Sequence, residues 1–113
     1  MNRRKIAIPI RDGRMFGHFG KAPEFRFYTT EGLSVVDSKI LSSPVHTHGS
    51  IPNWLIEQGT TDIITGGIGQ HALEILKGKQ ISIFSGVVET LPDKLVDDLL
   101  SDSLVYGQNY CDH

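Results

Sequence analysis

At residues 62–76 the sequence reads DIITGGIGQHALEIL, which places a strand, a glycine-rich turn and a helix in one short segment. Residues 62–65 form a compact run of the kind that builds a buried strand. The turn Gly66-Gly67-Ile68-Gly69 follows directly. Apolar residues then recur at helical spacing, at Ile68, Ala72, Ile75 and Leu76. This succession predicts an α/β fold, with Gly78 ending the helix.

The sequence on both sides continues the alternation of helices and strands. Upstream, Ser50 can cap a helix that Gly59 ends. Downstream, residues 81–84 predict a further strand, and Thr90 with Asp93 resembles a capping box. The third helix that follows has apolar residues at helical spacing: Leu91, Leu95, Val96, Leu99 and Leu100.

The N-terminal third predicts three strands. Residues 5–10 are an apolar run, and residues 25–30 and 33–41 are joined by Glu31-Gly32 as a hairpin. The predicted order is therefore β-β-β-α-β-α-β-α, which indicates a mixed sheet with helices on both faces. Residues 11–24 show neither helical nor strand period. We expect them to form a packed loop, without a strand, that presents a functional site.

Length and charge limit the class of protein. The 113 residues suffice for a single domain over residues 1–113, with a flexible tail from about residue 106. A formal net charge of -2 gives no basic field for a phosphate backbone, so we expect no nucleic-acid partner. No stretch approaches the length of a membrane span, so we expect no membrane association. Cys111 is the only cysteine, which favours a reducing, cytoplasmic location.

Several loops are predicted to converge at one end of the sheet. If the first strand runs up, the hairpin and right-handed crossovers make the third, fourth and fifth strands run up as well. The loops after the first, third, fourth and fifth strands carry, in turn, His18, His46 with His48, the glycine turn and Ser85-Gly86. His71 lies just inside the second helix. Ligands of open α/β sheets bind at this end, and glycines before a helix favour an anion.

The same residues also permit simpler interpretations. The glycine turn is equally consistent with close packing of strand and helix. Imidazole is the commonest metal ligand, yet a single loop histidine is more often only solvated. Cys111 and His113 could bind a soft metal, or could form an end with no role in the fold.

The carboxylates do not favour catalysis. A two-metal hydrolase needs acidic residues gathered on central strands, whereas residues 6–10 contain none. Asp12 and Asp62 are predicted to lie at opposite ends of the sheet. No serine or cysteine nucleophile is arranged with a histidine in the sequence pattern, so we expect no enzyme.

An ordered set of motifs resembles the dinitrogenase iron–molybdenum cofactor biosynthesis family. The matching stretches are KIAIPI at 5–10, HFGKAPEF at 18–25, His48-Gly49, DIITGGIG at 62–69 and the region around Gly86 and Thr90. The resemblance extends from about residue 5 to about residue 105. It implies a three-layer α/β/α domain of the ribonuclease H-like type without nuclease activity. The implied sheet has five strands in the order 3-2-1-4-5, with strand 2 antiparallel.

The resemblance also implies a function. The chain would be a non-catalytic carrier or scaffold that transiently binds an anionic metal–sulfur cluster, such as an iron–sulfur, iron–molybdenum precursor or molybdenum–copper sulfide species. As a monomer or weak homodimer it would exchange this cluster with donor and acceptor proteins. The implied site residues are His18, Phe19, Gly20, His48, Gly49, Gly66, Gly67, Ile68 and Gly69.

Within this implied site, His18 would face the cluster and the amides of Gly66–Gly69 would donate hydrogen bonds to its sulfides. Further metal ligands could come from His46, His48, His71, Cys111 and His113, although the last two match no family motif. Two other classes of function stay open. One is a regulatory or interaction module that binds a small anion or nucleotide at the glycine turn, and the other is a hydrolase on the same scaffold.

Overall fold

A computed structural model describes residues 3–44 and 50–107. Within these two ranges the chain forms one mixed sheet and three helices, which confirms the predicted α/β class. The elements are β1 (Arg3–Arg11), β2 (Arg14–Met15), β3 (Glu24–Glu31), β4 (Ser34–Ser42), α1 (Ser50–Glu57), β5 (Asp62–Ile64), α2 (Gln70–Lys77), β6 (Ser82–Phe84) and α3 (Pro92–Leu100).

The sheet has the order β4-β3-β1-β5-β6, and β2 pairs with β1 beside this path. β3 is antiparallel to both β1 and β4, whereas β5 is parallel to β1 and β6 is parallel to β5. The carboxyl ends of β1, β4, β5 and β6 therefore meet at one end of the sheet. The loops that follow β1, β5 and β6 emerge together there.

The connection between β1 and β3 contains more structure than the predicted loop. The expectation of five strands and of no strand within residues 11–24 was wrong, because Arg14–Met15 forms β2. Asp12 and Gly13 both have positive φ angles, 54° and 81°, which the two-residue turn between β1 and β2 requires. Phe19–Lys21 adds one turn of 3₁₀ helix. The Asp-Gly pair is itself a hairpin signal, but a two-residue strand is too short to show a period.

Alternate residues of the central strand fill two cores. Ala7 lies with Phe25 and Phe27 on the face covered by α1 and α2. Ile6, Ile8 and Ile10 lie on the opposite face with residues of α3. Burial on both faces explains why β1 reads as a continuous apolar run rather than an alternating one.

The helix ends agree with the sequence in one case and differ in another. The helix α2 ends at Gly78, whose amide donates a hydrogen bond to the Glu74 carbonyl oxygen, as predicted. The predicted capping box at α3 was wrong, because Leu91 is the N-cap and no side chain caps the helix. Asp93 instead accepts a hydrogen bond from the Tyr28 hydroxyl (2.5 Å), so a tertiary contact uses the carboxylate.

The first residues of the predicted tail contact the sheet. The Tyr106 ring meets the Phe84 ring edge-on, with centroids 5.0 Å apart. The Gly107 amide donates a hydrogen bond to the Ser85 carbonyl oxygen (2.7 Å). The rest of the predicted tail, residues 108–113, lies outside the described ranges. None of the helices in the described part of the chain has the length and apolar character needed to span a membrane.

Candidate functional site

The loop after β1 and the loop after β5 are joined by a parallel backbone bridge between His18 and Gly67. The Gly67 amide donates a hydrogen bond to the Gly17 carbonyl oxygen (2.7 Å). The Phe19 amide in turn donates one to the Gly67 carbonyl oxygen (3.0 Å). The predicted location of His18 and the glycine turn at the same end of the sheet is confirmed.

Glycine at position 66 allows this close approach. A Cβ atom at Gly66 would lie 3.1 Å from both the Cα and the carbonyl oxygen of Gly17. The loop after β6 joins the same arrangement, because the Gly86 amide donates a hydrogen bond to the Gly66 carbonyl oxygen (2.7 Å). Backbone hydrogen bonds therefore hold three loops together without requiring any metal or disulfide.

The three loops surround a cavity of about 780 Å³. Its lining comes from residues 17–21, 66–69 and 87–89. This volume lies within the range of small-molecule sites, roughly 300–1,000 Å³. The cavity is at the carboxyl ends of the strands, where open α/β sheets bind their ligands.

The N-terminal end of α2 contributes to the cavity through Gly69. This residue is the N-cap, has an extended backbone and provides no side-chain cap. The first intrahelical bond runs from the Leu73 amide to the Gly69 carbonyl oxygen (3.0 Å). Amides in the first turn of a helix have no carbonyl partner within the helix, and the dipole gives this end partial positive charge. The end of α2 is therefore suited to an anion.

One of the predicted amide donors is already used within the protein. The Gly67 amide is bonded to Gly17 and holds the bridge, so it is not available to a ligand while the bridge persists. The expectation that all four residues of the Gly66–Gly69 turn donate to a cluster therefore does not hold for Gly67. This amide positions the loops instead.

His18 has an exposed side chain beside an aromatic ring. The imidazole meets the Phe16 ring edge-on, with centroids 5.6 Å apart. The Arg11 guanidinium lies 5.5 Å from the centroid of the same ring. Because its backbone is held by the bridge and its ring packs against Phe16, the imidazole is positioned without being buried.

Two charged side chains also line the cavity, and the sequence had not indicated either of them as a site residue. Lys21 provides a cation, which favours an anionic ligand. Glu89 provides a carboxylate, and its Oε2 lies 2.5 Å from the position that a Cβ atom at Gly17 would occupy. This carboxylate covers the Gly17 backbone and opposes the binding of an anion.

The structure brings together most of the predicted site residues and assigns two of them a supporting role. The cavity is lined by His18, Phe19, Gly20, Gly66, Gly67, Ile68 and Gly69. The side chains of Phe19 and Ile68, however, are buried in the core and only 1% and 7% exposed. Phe19 packs edge-on against Phe25, with centroids 5.5 Å apart, so it anchors the loop.

Other predicted ligands do not join this cavity. His71 is exposed in the first turn of α2 and is not part of the cavity lining. The candidates His46, His48, Gly49, Cys111 and His113 lie outside the described residues. Across residues 3–44 and 50–107, no three His, Cys, Asp or Glu side chains gather to hold a metal ion. The described donors therefore suit a ligand that carries its own anionic atoms better than a bare metal ion.

The remaining lining residues are Gly17, Val87 and Val88, which sequence analysis missed. Gly17 directly precedes the His-Phe-Gly motif, and its role depends on a contact with Gly66 that lies far away in the chain. Val87 and Val88 follow Gly86 in a connection without a period. Only the proximity of Gly86 to Gly66 in space shows that they reach the cavity.

The comparisons with known proteins agree with one another. The chain is similar in structure to PH0822, with 27% sequence identity, a TM-score of 0.86 and coverage of 93% of this chain and 96% of that one. It shares its fold with the apo form of the orange protein from Desulfovibrio gigas, with 20% identity, a TM-score of 0.75 and coverage of 92% of each chain. No curated protein sequence matches the chain. Residues 2–102 match the family model described as dinitrogenase iron-molybdenum cofactor, and the chain belongs to this family.

Proposed function

We propose that this protein is a non-catalytic carrier or scaffold that transiently binds an anionic metal–sulfur cluster in the cavity between the three loops. The observation that carries the proposal is the bridge between His18 and Gly67. It places an exposed imidazole next to the N-terminal end of α2, in one cavity. Imidazole can ligate a metal atom, and a helix N-terminus favours negative charge.

The small number of protein ligands supports reversible binding. Within the described residues, His18 is the cavity's one side chain that commonly ligates a soft metal. A cluster held by one imidazole, by Lys21 and by backbone dipoles keeps most of its coordination to its own sulfides. Such a cluster can pass to an acceptor protein without breaking many protein–metal bonds. We therefore propose cluster donor and acceptor proteins as the partners.

The architecture and location that fit this role are also part of the proposal. Helices α1 and α2 pack on one face of the sheet and α3 packs on the other. We propose that this is a three-layer α/β/α domain of the ribonuclease H-like type. Metal–sulfur clusters with few protein ligands are sensitive to oxidation, which favours the reducing cytoplasm as the place of action.

A small-anion or nucleotide-binding module is a second candidate. The donors in the cavity suit a phosphate as well as a sulfide, because a helix N-terminus and a lysine bind either. The carboxylate of Glu89 opposes both ligands. Only the cluster carrier needs an imidazole that can ligate a metal, whereas a phosphate binds without one.

Anaerobic reconstitution distinguishes the candidates. The purified protein is mixed separately with ferrous iron plus sulfide and with tetrathiomolybdate plus cuprous ion, then desalted. We expect visible absorption and a fixed metal-to-protein ratio for at least one mixture. If the protein elutes colourless and metal-free from both while binding inorganic phosphate or ATP in calorimetry, it is an anion-binding module and not a cluster carrier.

A further inference from the structure

The strand β4 forms an exposed edge of the sheet. One side of it pairs with β3, and among the described residues no strand pairs with its other side. Eight of its nine residues are exposed, and the remaining one, Leu41, is half-buried. An edge strand of this length offers a row of backbone donors and acceptors to another strand.

The sequence of β4 is chemically symmetric about its centre. It reads SVVDSKILS, with Ser38 in the middle. On either side of Ser38 come a charged residue, two aliphatic residues and a serine, and the two charges are opposite. When two copies of this strand pair antiparallel about Ser38, each charged residue lies opposite a residue of opposite charge.

We propose that β4 is a homodimerisation strand, which pairs antiparallel with β4 of a second copy about a two-fold axis at Ser38. In this register Asp37 lies opposite Lys39 of the second copy, and the reverse pair forms on the other side of the axis. Directly opposed residues of antiparallel strands lie on the same face and interact, so two ion pairs form together.

The register of β4 against β3 is consistent with these pairs. Asp37 lies opposite Thr29 and Lys39 opposite Phe27, so the two charges share one face of the sheet. The pairing between β3 and β4 shifts between Thr29 and Thr30, beside Val35 and Val36. The regular segment available to a second copy therefore runs from Asp37 to Ser42 and contains both charges, whereas Val36 lies at the irregularity.

The two charges also select this register against its neighbours. A shift of two residues in one direction places Asp37 opposite Asp37, and a shift in the other direction places Lys39 opposite Lys39. Like charges directly opposite one another are destabilising. Charges on edge strands commonly prevent pairing altogether. A pair of opposite charges placed symmetrically about a central residue instead permits one antiparallel self-pairing and disfavours the rest.

Charge reversal tests the proposal without disturbing the core, since Asp37 and Lys39 are both exposed. Sedimentation velocity measures self-association of the wild type, Lys39→Asp and Asp37→Lys from about 10 μM to about 1 mM. We expect a concentration-dependent wild-type dimer and a dissociation constant at least about tenfold higher for each variant. An equimolar mixture of the two variants should recover the dimer, because the two acidic side chains of one variant then face the two basic side chains of the other.

The exposed Lys79 supplies the matched control for Lys39→Asp, because Lys79→Asp changes the net charge by the same amount at a position distant from β4 in sequence. It should associate like the wild type. The proposal is overturned if the wild type stays monomeric over the whole range, or if both reversals dimerise as well as it does. A mixture of the two variants that remains monomeric would equally contradict the pairing register. Sedimentation velocity detects the dimer without a bound cluster. A monomeric result would therefore overturn this proposal and leave the proposed function intact.

Discussion

His18 and Gly67 lie side by side in a parallel bridge although 49 positions separate them in the chain. The bridge consists of two backbone hydrogen bonds, from the Gly67 amide to Gly17 and from the Phe19 amide to Gly67. It fixes the backbone on both sides of the imidazole. The position of the His18 backbone relative to α2 is thus set by backbone hydrogen bonds, which the close approach of Gly66 to Gly17 allows.

The close approach of Gly66 to Gly17 predicts that Gly66→Ala destabilises the fold. The new methyl group would meet the Gly17 backbone at 3.1 Å, and backbone cannot rotate away as a side chain can. We expect a loss of about 1–3 kcal/mol in the free energy of unfolding, measured by urea denaturation. Gly20→Ala is the control, since nothing lies within 4 Å of its Cβ position. Equal stability of the two variants would show that the loops are not tightly held.

The Tyr28 hydroxyl predicts a dependence of stability on alkaline pH. Burial raises the pKa of Tyr28 above its ordinary value, and the hydrogen bond to Asp93 raises it further. The folded state then holds this proton more tightly than the unfolded state. The resulting stabilisation is complete below the ordinary tyrosine pKa of about 10 and is lost as the pH rises towards the raised value.

Tyr28→Phe isolates this effect because it keeps the ring and removes only the hydroxyl. We expect a loss of about 1 kcal/mol at neutral pH from the missing hydrogen bond. Between about pH 9 and about pH 11 the unfolding free energy of the variant should fall less steeply than that of the wild type. Identical slopes for the wild type and Tyr28→Phe would contradict the role assigned to Tyr28.

The opposite charges of Lys21 and Glu89 predict opposite effects on the affinity for an anion. Lys21→Gln removes a cation from the cavity and should weaken the binding of tetrathiomolybdate. Glu89→Gln replaces a carboxylate by a neutral amide of similar size and should strengthen the binding of tetrathiomolybdate. Since both side chains are exposed, we expect changes of about threefold to tenfold, smaller at high salt. Parallel changes in the two variants would show that the ligand does not lie between these charges.

Much of the fold follows from short-range patterns in the sequence. The glycine turn at Gly66–Gly69 is bordered by a strand and a helix with different periods, so both elements are predicted within a few residues. The apolar run in β1 likewise predicts a strand buried on both faces. In such segments local preference and tertiary burial favour the same structure.

Other features depend on contacts that no local pattern contains. Thr90 and Asp93 have the spacing of a capping box, yet Asp93 bonds to Tyr28 from a distant strand. β2 is two residues long, so only its pairing with β1 defines it. At the site, His18 and the glycine turn were predictable from strand directions, whereas Lys21 and Glu89 were not. Their place in the cavity results from how the three loops fold over one another.

The proposed function is tested most directly by the effect of His18→Ala on cluster binding. The substitution shortens an exposed side chain, so the free energy of unfolding should change by no more than about 0.5 kcal/mol. Cluster affinity should fall at least about tenfold, because no solvent group replaces the imidazole equally well.

The decisive measurement is an anaerobic cluster titration of wild type, His18→Ala and His71→Ala, followed by visible absorption. His71 is an exposed histidine of α2 outside the cavity lining, so it is the matched control. We predict that His18→Ala loses the absorption band while His71→Ala retains wild-type affinity. Binding by His18→Ala as tight as that of the wild type, or loss of binding in His71→Ala alone, would contradict the assignment of His18 as the cluster ligand.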